Sequence, residues 1–205
     1  MIEIKNISKS FNKRKLIDNF NLKIANGDFI CITGESGTGK TTLLNIIGLL
    51  EKPDEGDIII NDIKNPNKKQ ILLMQRNLFG YLFQNYALIE NETVEKNLSI
   101  SLEYQKNVDK QKEINKALQA VNLEGYNKKK IFELSGGEQQ RVALARIILK
   151  NCEFIFADEP TGNLDKKNRD IVFDILKKLN GQGKTIIFVT HDQELAKQSK
   201  TVINL

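Results

Sequence analysis

Apolar positions recur along the chain in two rhythms. Strict alternation over residues 2–7 and again over 20–25 predicts two half-buried strands, with a turn at Asn26-Gly27-Asp28. Continuous apolar runs over 29–32, 154–157 and 185–189 predict strands covered on both faces, as in parallel sheets. Residues 58–60 and 80–84 read as further short strands, the second reaching Gln84. Helical spacing runs from Thr41 to Leu50, where Pro53 and Gly56 are expected to end it. It returns over 138–150, through Val142, Leu144, Ala145, Ile148 and Leu149, and over 167–179. Between about 86 and 135, Lys, Glu, Asn and Gln dominate, and Ile114, Leu118 and Val121 keep a helical period while strand signals fade. The pattern predicts an α/β fold with a mainly parallel sheet, an antiparallel β edge subdomain from the early strands, and an inserted helical lobe. One domain over 1–205 is expected, its core formed by 1–85 and 136–205 and its lobe by about 86–135.

Composition narrows this little. An apolar content of 40% in 205 residues supports a real core and excludes a disordered chain. The net charge of +5 fits a solvated lysine-rich surface, a nucleic-acid binder or a protein working against an anionic membrane leaflet. Cys31 and Cys152 lie in or beside apolar runs without a CxxC partner, and read as buried free thiols in a reducing compartment. With a single histidine in the sequence they cannot assemble a metal cluster. The first residues, Met1 to Phe11, are polar and alternating, unlike a signal peptide. No run nears the roughly 18–20 apolar residues that span a bilayer. Any membrane part is expected on another chain.

The run 29–32 feeds into Gly34-Glu35-Ser36-Gly37-Thr38-Gly39-Lys40-Thr41, which fits GxxxxGK[ST] with a strand before it and a helix after it. Glycines let successive amides point inward at phosphate oxygens where a Cβ would obstruct. Lys40 is expected to reach the β and γ phosphates, and the Thr41 hydroxyl to ligate Mg2+. Asp158 and Glu159 follow the run 154–157. A carboxylate at a strand tip beside a phosphate loop can hold Mg2+, often through water, and the next one can polarise an attacking water. His191 follows the run ending at Val189, a strand expected beside the phosphate loop, where it could donate to the γ phosphate. Gln84 could touch the Mg2+ shell and swing with the lobe; alone it reads by default as a surface glutamine.

A second glycine pair opens a helix in Leu134-Ser135-Gly136-Gly137-Glu138-Gln139-Gln140-Arg141. Bare amides at a helix N-terminus attract anions. Two such starts on one small domain, 135 − 40 = 95 residues apart, point to a nucleotide held between two copies of the protein.

Together these residues resemble the ATP-binding cassette (ABC) ATPases, and the motifs span residues 11 to 191. The resemblance implies a P-loop NTPase core. It makes Gly34–Thr41, followed by Thr42, the Walker A loop, and 154–159 Walker B. Gln84 becomes the Q-loop, Ser135, Gly136, Gly137 and Glu138 the signature, His191 the switch histidine, Asp165 in Asn163-Leu164-Asp165 the D-loop, and Phe11 the aromatic that stacks on adenine. It also implies ATP and Mg2+ as ligands. Two copies would pair head to tail around two nucleotides, each signature meeting the γ phosphate on the other copy, with a separate integral-membrane permease as partner at the cytoplasmic face of the membrane.

The stretch Glu159-Pro160-Thr161-Gly162-Asn163-Leu164-Asp165 is similar to the lipoprotein-releasing, macrolide-exporting and cell-division group. That likeness implies export of a peptide, antimicrobial, bacteriocin or lipophilic substrate, or else control of a wall hydrolase through the permease without transport. All catalytic positions are filled, so a homodimer is expected. The chain ends at Leu205 without the C-terminal extension some members carry, and Lys128 to Glu133 lacks the proline often found before the signature. DNA-repair relatives place a long coiled coil between the two glycine motifs, and translation-linked relatives carry two cassettes. Neither pattern is present, and no nucleic-acid partner is expected.

Overall fold

The computed structural model describes residues 1–12, 14–105 and 107–205. In chain order come β1 (Ile2–Phe11), β2 (Arg14–Ile24), β3 (Phe29–Thr33), α1 (Lys40–Ile47), β4 (Glu55–Ile60), β5 (Ile63–Lys64), α2 (Lys68–Asn77), β6 (Phe79–Leu82), α3 (Val94–Ser99), α4 (Lys110–Ala120), α5 (Gly136–Lys150), β7 (Phe154–Asp158), α6 (Lys166–Gly181), β8 (Thr185–Val189), α7 (Gln193–Ala196) and β9 (Thr201–Asn204). Among the described residues they form a four-stranded antiparallel sheet, β2-β1-β4-β5, and a five-stranded parallel sheet, β6-β7-β8-β3-β9.

The parallel sheet is covered on both faces, and strand alternation divides its side chains between two cores. Ile30, Ile32, Phe154, Phe156, Ile187 and Val189 join the strands of the antiparallel sheet and α1 on one side. Cys31, Ile155, Ala157, Ile186 and Phe188 face α5, α6 and the helices α3 and α4 on the other. Aromatic packing anchors the first layer: the buried Phe79 ring meets Phe156 edge-on at 5.0 Å and Phe154 at 5.8 Å. Truncating such a ring to alanine costs about 3–5 kcal/mol.

Several elements depart from the hydrophobic pattern. β1 runs on to Phe11, and β2 begins at Arg14, because these strands pair with each other through irregular register shifts rather than by alternation alone. α1 stops at Ile47, well before Pro53: the Gly48 carbonyl accepts the Tyr81 hydroxyl at 2.6 Å, and Leu49 takes a left-handed φ of 58°. β6 ends at Leu82, leaving Gln84 in the turn beyond it. Helix α2 is polar overall and buries only Met74; its start is marked by an Asn67–Gln70 capping box. The edge strand β9 buries none of its side chains fully.

Both cysteines are buried and unbridged. Burial pushes the Cys31 thiol up to about 12 and the Cys152 thiol up to about 11. The Cys152 sulfur lies directly beneath the Gly80 backbone, where even a Cβ would come within 2.5 Å. A thiolate-directed disulfide reagent at about pH 8 should therefore leave both thiols unmodified in the native protein and label both in guanidinium. Rapid stoichiometric labelling of the native chain would contradict this packing.

Candidate functional site

In a parallel sheet every strand delivers its C-terminal end to the same edge. The register pairs Ile32 with Val189 and Val189 with Asp158, so β3, β8 and β7 end level with one another. The loops leaving these strands enclose a cavity of about 400 Å³, lined by Ser36, Lys40, Thr41, Gln84, Glu159 and His191 among others.

The phosphate loop holds Gly34, Gly37 and Gly39 at φ of 146°, 79° and 99°. A Cβ on Gly39 would also stand 2.9 Å from Leu16 Cγ of β2, so both backbone and space require glycine there. Gly39 caps α1 without a side-chain hydrogen bond and no acid occupies the first turn, so nothing in the helix start competes with an anion for its amides. The Lys40 ammonium donates to the Gly34 carbonyl at 3.0 Å and to the Glu35 carbonyl at 2.7 Å. The Thr38 hydroxyl donates to the same Glu35 carbonyl at 2.9 Å and closes the loop. Gly37 and Thr42 also line the cavity, whereas Glu35 contributes its carbonyl.

Beside the loop, the Thr41 hydroxyl donates to Asp158 Oδ1 at 3.0 Å. Burial pushes the Asp158 carboxyl above the usual carboxylate range; the hydrogen bond from Thr41 opposes this and the neighbouring Glu159 charge adds to it. Two adjacent hard oxygens at a phosphate loop fit Mg2+. Among the described residues no cluster of three or more His, Cys, Asp or Glu could hold a metal alone. The donor set thus suits a cation that takes its remaining ligands from phosphate and water.

Glu159 sits one residue beyond β7 with a left-handed φ of 44°, unusual for a non-glycine residue, and its amide donates to the Val189 carbonyl at 3.1 Å. That turn brings its side chain to His191 rather than to the Thr41–Asp158 pair. Oε1 lies 3.0 Å from His191 Nδ1, while Oε2 is buried with no partner. His191 itself is 70% exposed and lies at the cavity mouth.

The second glycine pair forms a different kind of helix start. The Ser135 side chain accepts from the Glu138 amide at 3.4 Å, and Glu138 Oε2 accepts from the Ser135 amide and hydroxyl, both at 2.8 Å. Partial burial disfavours the Glu138 carboxylate, but these bonds and one from the Tyr126 hydroxyl outweigh it and lower its pKa. A Cβ on Gly136 would approach the Tyr86 hydroxyl at 3.0 Å, and one on Gly137 would overlap Asn168 at 2.5 Å. None of Ser135, Gly136 or Gly137 lines the phosphate cavity of its own chain.

Asp165 caps α6 through the Asn168 amide at 3.0 Å, outside the residues lining the cavity. Phe11 is 47% exposed at the end of β1, with the Lys9 ammonium 5.3 Å from its ring centre. Leu16, Gly162, Asn163 and Val189 also line the cavity. For Leu16 the sequence carries no signal, because it reaches the loop only through the fold of the antiparallel sheet.

The family model described as ABC transporter matches residues 17–162. The uncharacterized ABC transporter ATP-binding protein MJ1508 of Methanocaldococcus jannaschii is 41% identical over 100% of this chain and 95% of its own length. The macrolide export ATP-binding/permease protein MacB of Bdellovibrio bacteriovorus is 40% identical over 100% of this chain, which spans 32% of that larger protein. A dimeric, post-hydrolysis structure of the ATP-binding cassette MJ0796 bound to ADP and Pi superposes with a TM-score of 0.90 at 36% identity, covering 100% of this chain and 94% of that one. The chain belongs to the ABC transporter family, as its ATP-binding and ATP-hydrolysing cassette.

Proposed function

We propose that two copies of this chain close around two ATP molecules and use their hydrolysis to drive a membrane permease, with export of a peptide, antimicrobial or lipophilic substrate. One observation carries the reading: the phosphate cavity is lined by the Walker A loop, Glu159 and His191 but by no signature residue of its own chain. A second anion-binding helix start is therefore available to a neighbouring molecule. The dimeric form of the MJ0796 cassette supports the same arrangement.

In this mechanism Lys40 and the bare amides of α1 bind the phosphates, and the partner's signature amides cap the γ phosphate. Thr41 and Asp158 would hold Mg2+, with Gln84 at its margin; when bound, the ion neutralises phosphate charge. Glu159 orients the attacking water and takes its proton as the water oxygen bonds to phosphorus and the bond to the β-phosphate oxygen breaks. His191 fixes Glu159 through Oε1 and faces the γ phosphate. Such chemistry depends on positioning and charge stabilisation more than on covalent help. Losing the γ phosphate removes what the two copies share, and they separate.

Among the described residues no helix is long and apolar enough to cross a membrane. A groove of about 560 Å³ lies between α2, β6 and α5, beside the turn that carries Gln84. Leu72, Ile100 and Tyr104 line it and are each more than half exposed, an apolar surface suited to a protein partner at the cytoplasmic face of the membrane. The macrolide-export relatives, which join an ATP-binding part and a permease by name, support this pairing.

Glu159→Gln keeps the shape of the side chain and removes the base. Hydrolysis should fall by about 10²–10⁴-fold, and size exclusion with ATP should show an accumulated dimer; a protein that binds ATP yet stays monomeric would refute the shared site. Gly137→Ala keeps the amide but sets a Cβ 2.5 Å from Asn168, which must shift the signature turn; hydrolysis should fall by about 10²-fold, the scale of one misplaced charge-stabilising donor, while ATP still binds the monomer. Leu72→Asp should leave hydrolysis by the isolated cassette unchanged but reduce its recovery in washed membranes from cells that make its permease.

A further inference from the structure

The first turn of α6 touches both halves of the chemistry. Asn168 Oδ1 accepts from Arg141 of the signature helix at 2.6 Å. Its Nδ2 donates to Asp165 Oδ2 at 2.6 Å, and its own amide donates to Asp165 Oδ1 at 3.0 Å. The same side chain fills the space against Gly137 that a Cβ would need. One residue on, Arg169 donates to Asp192 at 2.9 Å and Glu194 at 3.2 Å, in the segment just after His191. A second link runs beside these: the buried Gln140 donates to the Pro160 carbonyl at 2.6 Å, immediately after Glu159.

Among the described residues the buried side-chain polar atoms without a partner are Gln140 Oε1, Arg141 Nε and Glu159 Oε2. Two of the three lie on this seam. Buried polar atoms are normally paired, so the two on this seam mark a network that is not fully satisfied within one chain.

Resting on the two-copy reading above, we propose that Asn168 is a positioning residue. It registers the signature helix, which serves the other copy's nucleotide, against the 159–165 loop that serves the chain's own. The bridge needs both ends: an acceptor for Arg141 and a donor for Asp165. A carboxamide supplies the two at once. The expected consequence is selective, because the contacts lie outside the residues lining the phosphate cavity. Nucleotide capture by one copy should be indifferent to Asn168, and closure of two copies should depend on it.

The test uses the full chain carrying Glu159→Gln, with dimer dissociation followed by sedimentation in ATP. Adding Asn168→Ala should raise the dimer dissociation constant by about tenfold, the scale of one charge-assisted hydrogen bond, while a fluorescent ATP analogue binds the dilute monomer as tightly as the parent. Asn168→Asp keeps an acceptor for Arg141 but sets a carboxylate against Asp165, and should weaken the dimer as well. This second variant decides the matter should the alanine variant unfold. An unchanged dimer in either folded variant overturns the bridge: with aspartate, Arg141 anchoring alone would suffice, and with alanine neither side-chain bond would matter. Loss of monomer affinity in step with dimer affinity also overturns it, as a general structural role. A parent that never dimerises defeats the two-copy reading itself, and the bridge with it; dimerisation of the parent without sensitivity to Asn168 defeats only the bridge.

Discussion

Three neighbouring strands ending at one level of a parallel sheet are the constraint on which the site depends. Ile32, Val189 and Asp158 share a register, so the loops after β3, β8 and β7 must meet. The register is held by burial on both faces: alternate side chains of each strand enter separate cores, and a one-residue slip would exchange the two sets. Lys40, Thr41, Asp158, Glu159 and His191 come from distant parts of the chain, yet the sheet leaves their loops no other place to go.

At that edge polar groups are arranged in tension rather than at rest. Glu159 occupies a left-handed backbone conformation and keeps one carboxylate oxygen buried without a partner. A non-glycine residue in that region costs about 1–3 kcal/mol, and an unpaired buried polar atom costs a similar amount. The stable packing behind the strands offsets both. Asp158, one residue earlier, remains inside regular strand geometry and pairs with Thr41. Two consecutive acids therefore meet different partners, Thr41 and His191, because the chain turns sharply between them.

The two glycine-rich helix starts differ in a way that fits the separate duties proposed for them. The α1 start has bare amides and no capping side chain. The α5 start is closed by the Ser135–Glu138 box and pressed between Tyr86 and Asn168. The first is shaped to enclose an anion within its own chain, while the second is a braced surface presented outward. Bracing fixes the direction of the amides, and direction is what an electrostatic contact across an interface requires.

The sequence by itself determined the fold class and the chemistry of the phosphate loop, because both are written locally. Apolar runs over 29–32, 154–157 and 185–189 are too short for buried helices and are bounded by turn residues, which favours doubly covered strands, and glycine spacing in 34–41 suits the backbone its loop adopts. The capping of α5 is equally local, since Ser135 and Glu138 are one turn apart. Elements with little burial were illegible: α2 hides one side chain, and β9 pairs as an edge strand through its backbone. Only the tertiary structure decided that Gly48 rather than Pro53 ends α1, that Leu16 walls the phosphate loop, and that Asn168 lies between Arg141, Gly137 and Asp165. These contacts join residues from separate elements, and no period or motif encodes them. They exist because layers of sheet and helix close-pack, and packing chooses neighbours by shape after the local pattern has been satisfied.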